Sequence, residues 1–97
     1  MPLFVVLGNF TTKRMDTIKD LPEQIKAGVN VFESFGIEIK ALVFTMGRYD
    51  MVGICDAPDK EAITKALLNW SSEGFIRTET LTGFTAEELI KLVKAIS

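Results

Sequence analysis

Apolar residues along this chain fall into two rhythms, one suited to strands and one to helices. Leu3-Phe4-Val5-Val6-Leu7 is an unbroken apolar run, β-branched and aromatic, that stops at Gly8-Asn9 and so predicts a strand. A polar loop is expected through Thr11-Thr12-Lys13-Arg14. From about Asp20 to Phe35, residues Leu21, Ile25, Val29 and Phe32 recur on one face of a helix. Pro22 suits its first turn, where a missing N–H costs little, and Gly36 suits a left-handed cap beyond its end. Gly28 weakens such a helix by about 1 kcal/mol relative to alanine, which points to a close packing neighbour.

Ile37 to Met46 and Tyr49 to Asp56 read as two strands joined at Gly47-Arg48. A two-residue loop with glycine first predicts a type II′ turn that sets Met46 opposite Tyr49. Strict alternation then puts Ile39, Ala41, Val43, Val52 and Ile54 on one face. Leu42, Phe44, Met46, Tyr49, Met51 and Cys55 fall on the other, and Asp50 points to the helix side. A second helix is expected to open near Asp56-Ala57-Pro58-Asp59, to carry Ile63, Leu67 and Trp70, and to end at Gly74. Phe75 to Thr82 is a fourth strand; the alternating Arg77-Thr78-Glu79-Thr80 suits a sheet edge protected by charge. Thr85-Ala86-Glu87-Glu88 forms a capping box for a last helix with Leu89, Leu92, Val93 and Ile96 on its apolar side.

The order β-α-β-β-α-β-α predicts an α+β, ferredoxin-like split βαβ arrangement. It has a four-stranded antiparallel sheet with helices on one face, and residues 1–97 form one domain. Two helices cover only one face of such a sheet, yet Leu3 to Leu7, Leu42-Val43-Phe44 and Met51-Val52 are apolar on both sides. An exposed patch of that kind exceeds what soluble monomers usually carry, so a cover is expected. One candidate is the last helix folded back over the sheet. The favoured one is a second subunit packed sheet against sheet, as in dimeric α/β barrels, giving a homo-oligomer of at least two copies.

Composition narrows the chemistry. The 97 residues are 47% hydrophobic and 25% charged, with a net charge of −2, which gives no reason to expect nucleic acid or an anionic membrane as partner. The longest apolar run is too short for a bilayer and does not read as a signal peptide. A single cysteine suits a reducing cytoplasm. Histidine is absent, which excludes Ser-His-Asp and Cys-His devices and any histidine-ligated metal. No phosphate-cradling glycine loop or cysteine metal motif is present, so neither cofactor nor metal is expected. Asp56, Asp59 and Glu61 suit a helix start better than a metal.

The densest chemistry lies at the hairpin tip, where Arg48, Tyr49 and Asp50 follow Gly47. The split βαβ topology places this tip at the same end of the sheet as the loop from Asn9 to Arg14 and the entry of the fourth strand. Lys13, Arg14, Arg48 and Arg77 are therefore candidates to converge on an anion near a helix start. Tyr49 either packs its ring or donates a hydrogen bond inside a pocket. Asp50 either accepts backbone N–H bonds from the Asn9 to Thr12 loop or serves as a base. Cys55 reads as a small buried hydrophobe.

Phe44-Thr45-Met46-Gly47-Arg48-Tyr49-Asp50, followed by Asp56-Ala57-Pro58-Asp59, resembles the signature of the GYD-domain family. Arg77-Thr78-Glu79-Thr80-Leu81, running on to Phe84-Thr85-Ala86-Glu87-Glu88, is similar to its closing segment, and Thr17 to Lys26 to its first helix. Gly28, Asn30-Val31 and Thr82-Gly83 depart from that pattern without touching the tip. The resemblance implies a small bacterial or archaeal cytoplasmic protein, ferredoxin-like and related to dimeric α/β barrels, from a family without an established activity. Its motif marks Gly47, Tyr49 and Asp50 and assigns none of them a catalytic role.

Two kinds of function fit these residues. One is an oligomeric assembly or binding module that holds a small organic or anionic ligand between the sheet and the tip. The other is a cofactor-free oxygenase or isomerase with Asp50 as base and Tyr49 and Arg48 around the substrate.

Overall fold

Strand β1 (Leu3–Phe10) is central because its apolar run can be covered on both edges and on a full face. In the computed structural model, which describes residues 1–97, it pairs antiparallel with β3 (Met51–Asp56) and with β4 (Ile76–Gly83). Strand β2 (Glu38–Phe44) lies outside β3, so the sheet order is β2-β3-β1-β4. This is the ferredoxin-like order, and β4, with its alternating charges, is an edge as expected.

Helices α2 (Leu21–Ser34) and α3 (Lys60–Ser71) cover one face. Burial along β1 alternates: Phe4, Val6 and Gly8 turn toward these helices, and Leu3, Val5 and Leu7 turn away. The core gathers Phe4, Val6, Phe32, Met51, Ile63 and Ile76. Asp59 caps α3 by accepting the Ala62 N–H at 2.8 Å. Gly28 does have its close neighbour. A Cβ there would sit 3.0 Å from Trp70 Nε1, so the missing side chain lets α2 approach the indole of α3.

Two expectations are corrected, and one of the two candidate covers for the sheet falls away. The stretch Thr11 to Arg14 is not simply a loop. It begins helix α1 (Thr12–Asp16), capped by Thr11, and a 3₁₀ turn (Ile18–Asp20) leads into α2. Five residues carry too few apolar positions to show a helical period, which hid α1 from pattern reading.

The hairpin faces also differ. Pairing runs as expected from Phe44↔Met51 to Ala41↔Ile54, but a bulge at Lys40 shifts Ile39 opposite Cys55. The extra residue returns Ile39 to the face of Leu42 and Phe44. That face is the helix side, with Met51 1% exposed, so Ala41, Val43, Val52 and Ile54 line the open side. The ladder ends at Phe44 and Met51, closed by the Thr45 N–H donating to the Asp50 carbonyl at 2.8 Å. Met46 and Tyr49 lie beyond it, with Met46 fully in solvent. Gly47 takes φ 129, where its Cβ would meet nothing, so glycine is needed there for the backbone and not for space.

Helix α4 (Ala86–Ile96) forms with the expected capping box, Thr85 and Glu88 each bonding the other's backbone N–H. It does not fold back over the sheet, and every residue from Phe84 to Ser97 is exposed. Only Phe84 and Thr85 link it to β4, Thr85 is extended at φ −69 and ψ 160, and the helix stands clear of the sheet.

Candidate functional site

The end of the sheet that holds the hairpin tip opens into a polar groove of about 780 Å³. Three elements build it. Strand β1 and the chain after it supply Asn9, Phe10 and Thr11 to Lys13; the tip supplies Arg48 and Tyr49; the start of β4 supplies Arg77 to Glu79. The antiparallel registers force this meeting, since Arg77 lies opposite Asn9, Glu79 opposite Leu7 and Met51 opposite Gly8.

Tyr49 donates its hydroxyl to Glu79 Oε2 at 2.9 Å. Because Leu7 and its partner Glu79 lie on the open side, Tyr49 reaches that side and not the Met51 face that strict alternation gives it. The bond to Glu79 raises the phenol above its ordinary value, burial adds to this, and Arg48 opposes it. Tyr49 is therefore a protonated donor at neutral pH. The Arg48 guanidinium stands 5.6 Å from the centre of the Tyr49 ring. Lys13 donates to the Glu73 carbonyl at 2.7 Å and lies 4.6 Å from the Phe75 ring centre.

Lys13, Arg48 and Arg77 have no carboxylate partner. The only ion pairs in the molecule are those of Lys40 with Glu38 and Asp56, both 3.4 Å. Glu79 is the single acid of the groove, and its Oε2 is engaged by Tyr49. Such a groove can take a small anion through Arg48 and Arg77, with a phenol hydroxyl beside it.

Two candidate residues stand elsewhere. Arg14 is 2% exposed and lies under the Phe75 ring, its Cζ 4.0 Å from the ring centre. Its NH1 donates to the Thr17 carbonyl at 3.1 Å, and its NH2 has no partner. Asp50 turns inward, where Oδ2 accepts the Phe10 N–H at 2.8 Å and its own N–H donates to the Gly8 carbonyl at 2.9 Å. It extends the pairing of β1 by one step and fixes the tip. Gly47 only shapes the turn.

Glu79, Asn9 and Phe10 were not singled out from the sequence. Period-two alternation on β4 already sets Glu79 beside Arg77, so the edge-strand pattern held the signal. The core offers little else. A second hollow between α2 and the sheet, walled by Val6, Phe32, Leu42 and Trp70 among others, holds only about 40 Å³. Burial, with some help from Asp56, pushes the Cys55 thiol up to about 11, so it is no nucleophile. No three acidic or sulfur side chains converge as a metal would require.

A family model described as "GYD domain" matches residues 4–93. A Thermus thermophilus protein named "Glutamine synthetase and cystathionine beta-lyase binding protein" is 33% identical over 95 residues, covering 97% of this chain and 100% of that one. Among solved structures, "De novo designed protein Ferredog-Diesel" aligns at 12% identity over 81% of this chain and 84% of its own, with a TM-score of 0.46.

Proposed function

The chain belongs to the GYD domain family, and from that membership we propose that it is a non-catalytic binding and assembly module. It associates with itself through the open face of its sheet and docks protein partners in the cytoplasm. One observation carries this reading: the side of the sheet away from the helices presents Val43 and Leu81, both exposed, with Val5, Leu7, Val52 and Ile54 half-buried between them, and no helix of the chain packs over that face. Apolar area of this kind is a cost in water that a partner removes. The Thermus relative is named as a binding protein for two enzymes. Carried to this chain, that name supports metabolic enzymes as the docked partners.

Light scattering on the wild type and on Val5→Lys tests the reading. Val5 lies on the central strand and on the open face, so a lysine there leaves the core intact. The expected result is an oligomer for the wild type and a folded monomer for the variant. A wild type that stays monomeric at every concentration would sink the self-association. Surface plasmon resonance against purified glutamine synthetase and cystathionine β-lyase tests the partner class; no binding to either removes it.

A second reading rests on groove cations that have no carboxylate partner: Arg48 and Arg77, beside the Tyr49 hydroxyl, hold a small anion, with Lys13 held nearby on the Glu73 carbonyl. A ligand at a hundredfold excess over its Kd stabilises the fold by about 2.7 kcal/mol. Melting in inorganic phosphate or succinate should therefore rise for the wild type and not for the Arg48→Ala, Arg77→Ala double variant. Equal melting shifts in both proteins would remove the site. The enzymatic alternative draws less support, since Asp50 holds a backbone N–H and Tyr49 is tied to Glu79.

A further inference from the structure

Helix α4 and the open face of the sheet are two uncovered apolar surfaces of one chain, and neither covers the other. Leu89, Ile90, Leu92, Val93 and Ile96 are between 49% and 87% exposed. Eleven residues fall below the roughly 12–15 at which an isolated helix is even marginal in water. The capping box helps by only about 1 kcal/mol, so most of the stability of α4 has to come from a surface beneath its apolar stripe. That surface is not its own sheet. Only Phe84 and Thr85 separate the helix from β4, Thr85 is extended at φ −69 and ψ 160, and the molecule is drawn out to 52 Å.

The excess surface is large enough to define an interface. A compact monomer of 10.8 kDa exposes about 5,500 Å² and has a radius of gyration of about 12.5 Å. This chain exposes 6619 Å², with a radius of gyration of 14.8 Å. The surplus exceeds the ~800 Å² that each partner contributes to a standard stable interface.

We propose that α4 crosses to a second copy of the chain and lays its apolar stripe on that copy's open sheet face, which returns its own helix in exchange. Val43 and Leu81, on the two edge strands, are the most exposed large apolar groups of that face, 51% and 47%. A second copy carries both complements by construction, and a two-fold exchange satisfies both deficits at once. The helix is not built for a lipid surface: Glu87 and Glu88 balance Lys91 and Lys94, with none of the basic excess that anionic headgroups select. This inference rests on the sheet-face association and names the segment that completes it.

Hydrogen exchange on the full chain at several concentrations is the test, together with light scattering of the Leu89→Asp, Val93→Asp double variant. Amides of α4 should be protected in the assembled protein and lose protection on dilution. The double variant should dissociate at least tenfold more readily. Its Trp70 emission, which reports the body through the edge contact with Phe32, should be unchanged. Protection of α4 independent of concentration would overturn the exchange, because the helix would then dock on its own subunit. So would an intact oligomer whose α4 is unprotected until an enzyme partner is added, or a double variant that assembles like the wild type. If that happens while Val5→Lys still yields monomers, the sheet-face association stands and only the helix exchange falls. A monomeric wild type removes both.

Discussion

At Arg14 a guanidinium is held almost entirely out of water with one nitrogen unpartnered. An orphaned buried donor costs about 1–3 kcal/mol, and the stacking on Phe75 returns up to about 2. Methionine keeps the length and the ring contact while removing the orphan. Arg14→Met is therefore expected to change the urea midpoint little or raise it, whereas Arg14→Ala, which leaves a cavity, should lose about 2–5 kcal/mol. A large loss in the methionine variant would show that the charge itself is needed. The sequence placed Arg14 with the other loop cations because residue type is all it reveals, and burial depends on a ring sixty-one positions away. Asp50 was half legible. Its candidate role as acceptor for the Asn9 to Thr12 loop is what the Phe10 N–H bond delivers. Tyr49 was misplaced because alternation was carried past the last paired residue, where the chain no longer pleats.

Elements whose ends depend on near neighbours were readable. Gly36 and Gly74 take φ 78 and 79 beyond α2 and α3, and Thr85 with Glu88 opens α4, all from side chains or backbone within four residues. The same capping box carries a pH dependence. Hydrogen bonds from the Thr85 backbone and hydroxyl hold Glu88 below its usual value of 4.5. Its folded form is the poorer proton binder, so the helix gains stability above pH 4.5 and loses it as pH falls through the depressed value. Amide protection in α4 should therefore decline in acid, and Glu88→Gln, which can still cap without titrating, should flatten that decline. A decline equally steep in Glu88→Gln would assign it to another group. The bulge at Lys40 was not readable, because nothing in Glu38-Ile39-Lys40-Ala41 distinguishes an extra residue from a regular one. Only the need to bury Ile39 beside Cys55 sets it.

Over the whole molecule, only 14 of 97 residues are buried, few for a sheet that is apolar on both sides. If the missing burial is supplied by a second copy, stability depends on concentration through mass action. The wild-type melting temperature should then climb with protein concentration, while that of Val5→Lys should not. Flat melting temperatures for both proteins would place the apolar face in water and leave the fold to stand on its small core.

Patterns of spacing settled the order of the four strands and three longer helices, the ferredoxin-like topology, the caps and the surplus of apolar sheet surface, since each follows from residues close in sequence or from period alone. The groove at the hairpin tip was half visible, because topology brings its cations to one end without saying which of them turn inward. Tertiary structure alone decided that Phe44 and Met51 face the helices, that Arg14 is buried, and that α4 stands clear of its own sheet. Those outcomes depend on which face of the central strand meets the helices, on one aromatic ring and on where the last helix lies, contacts whose energies belong to the folded arrangement and not to any local stretch of chain.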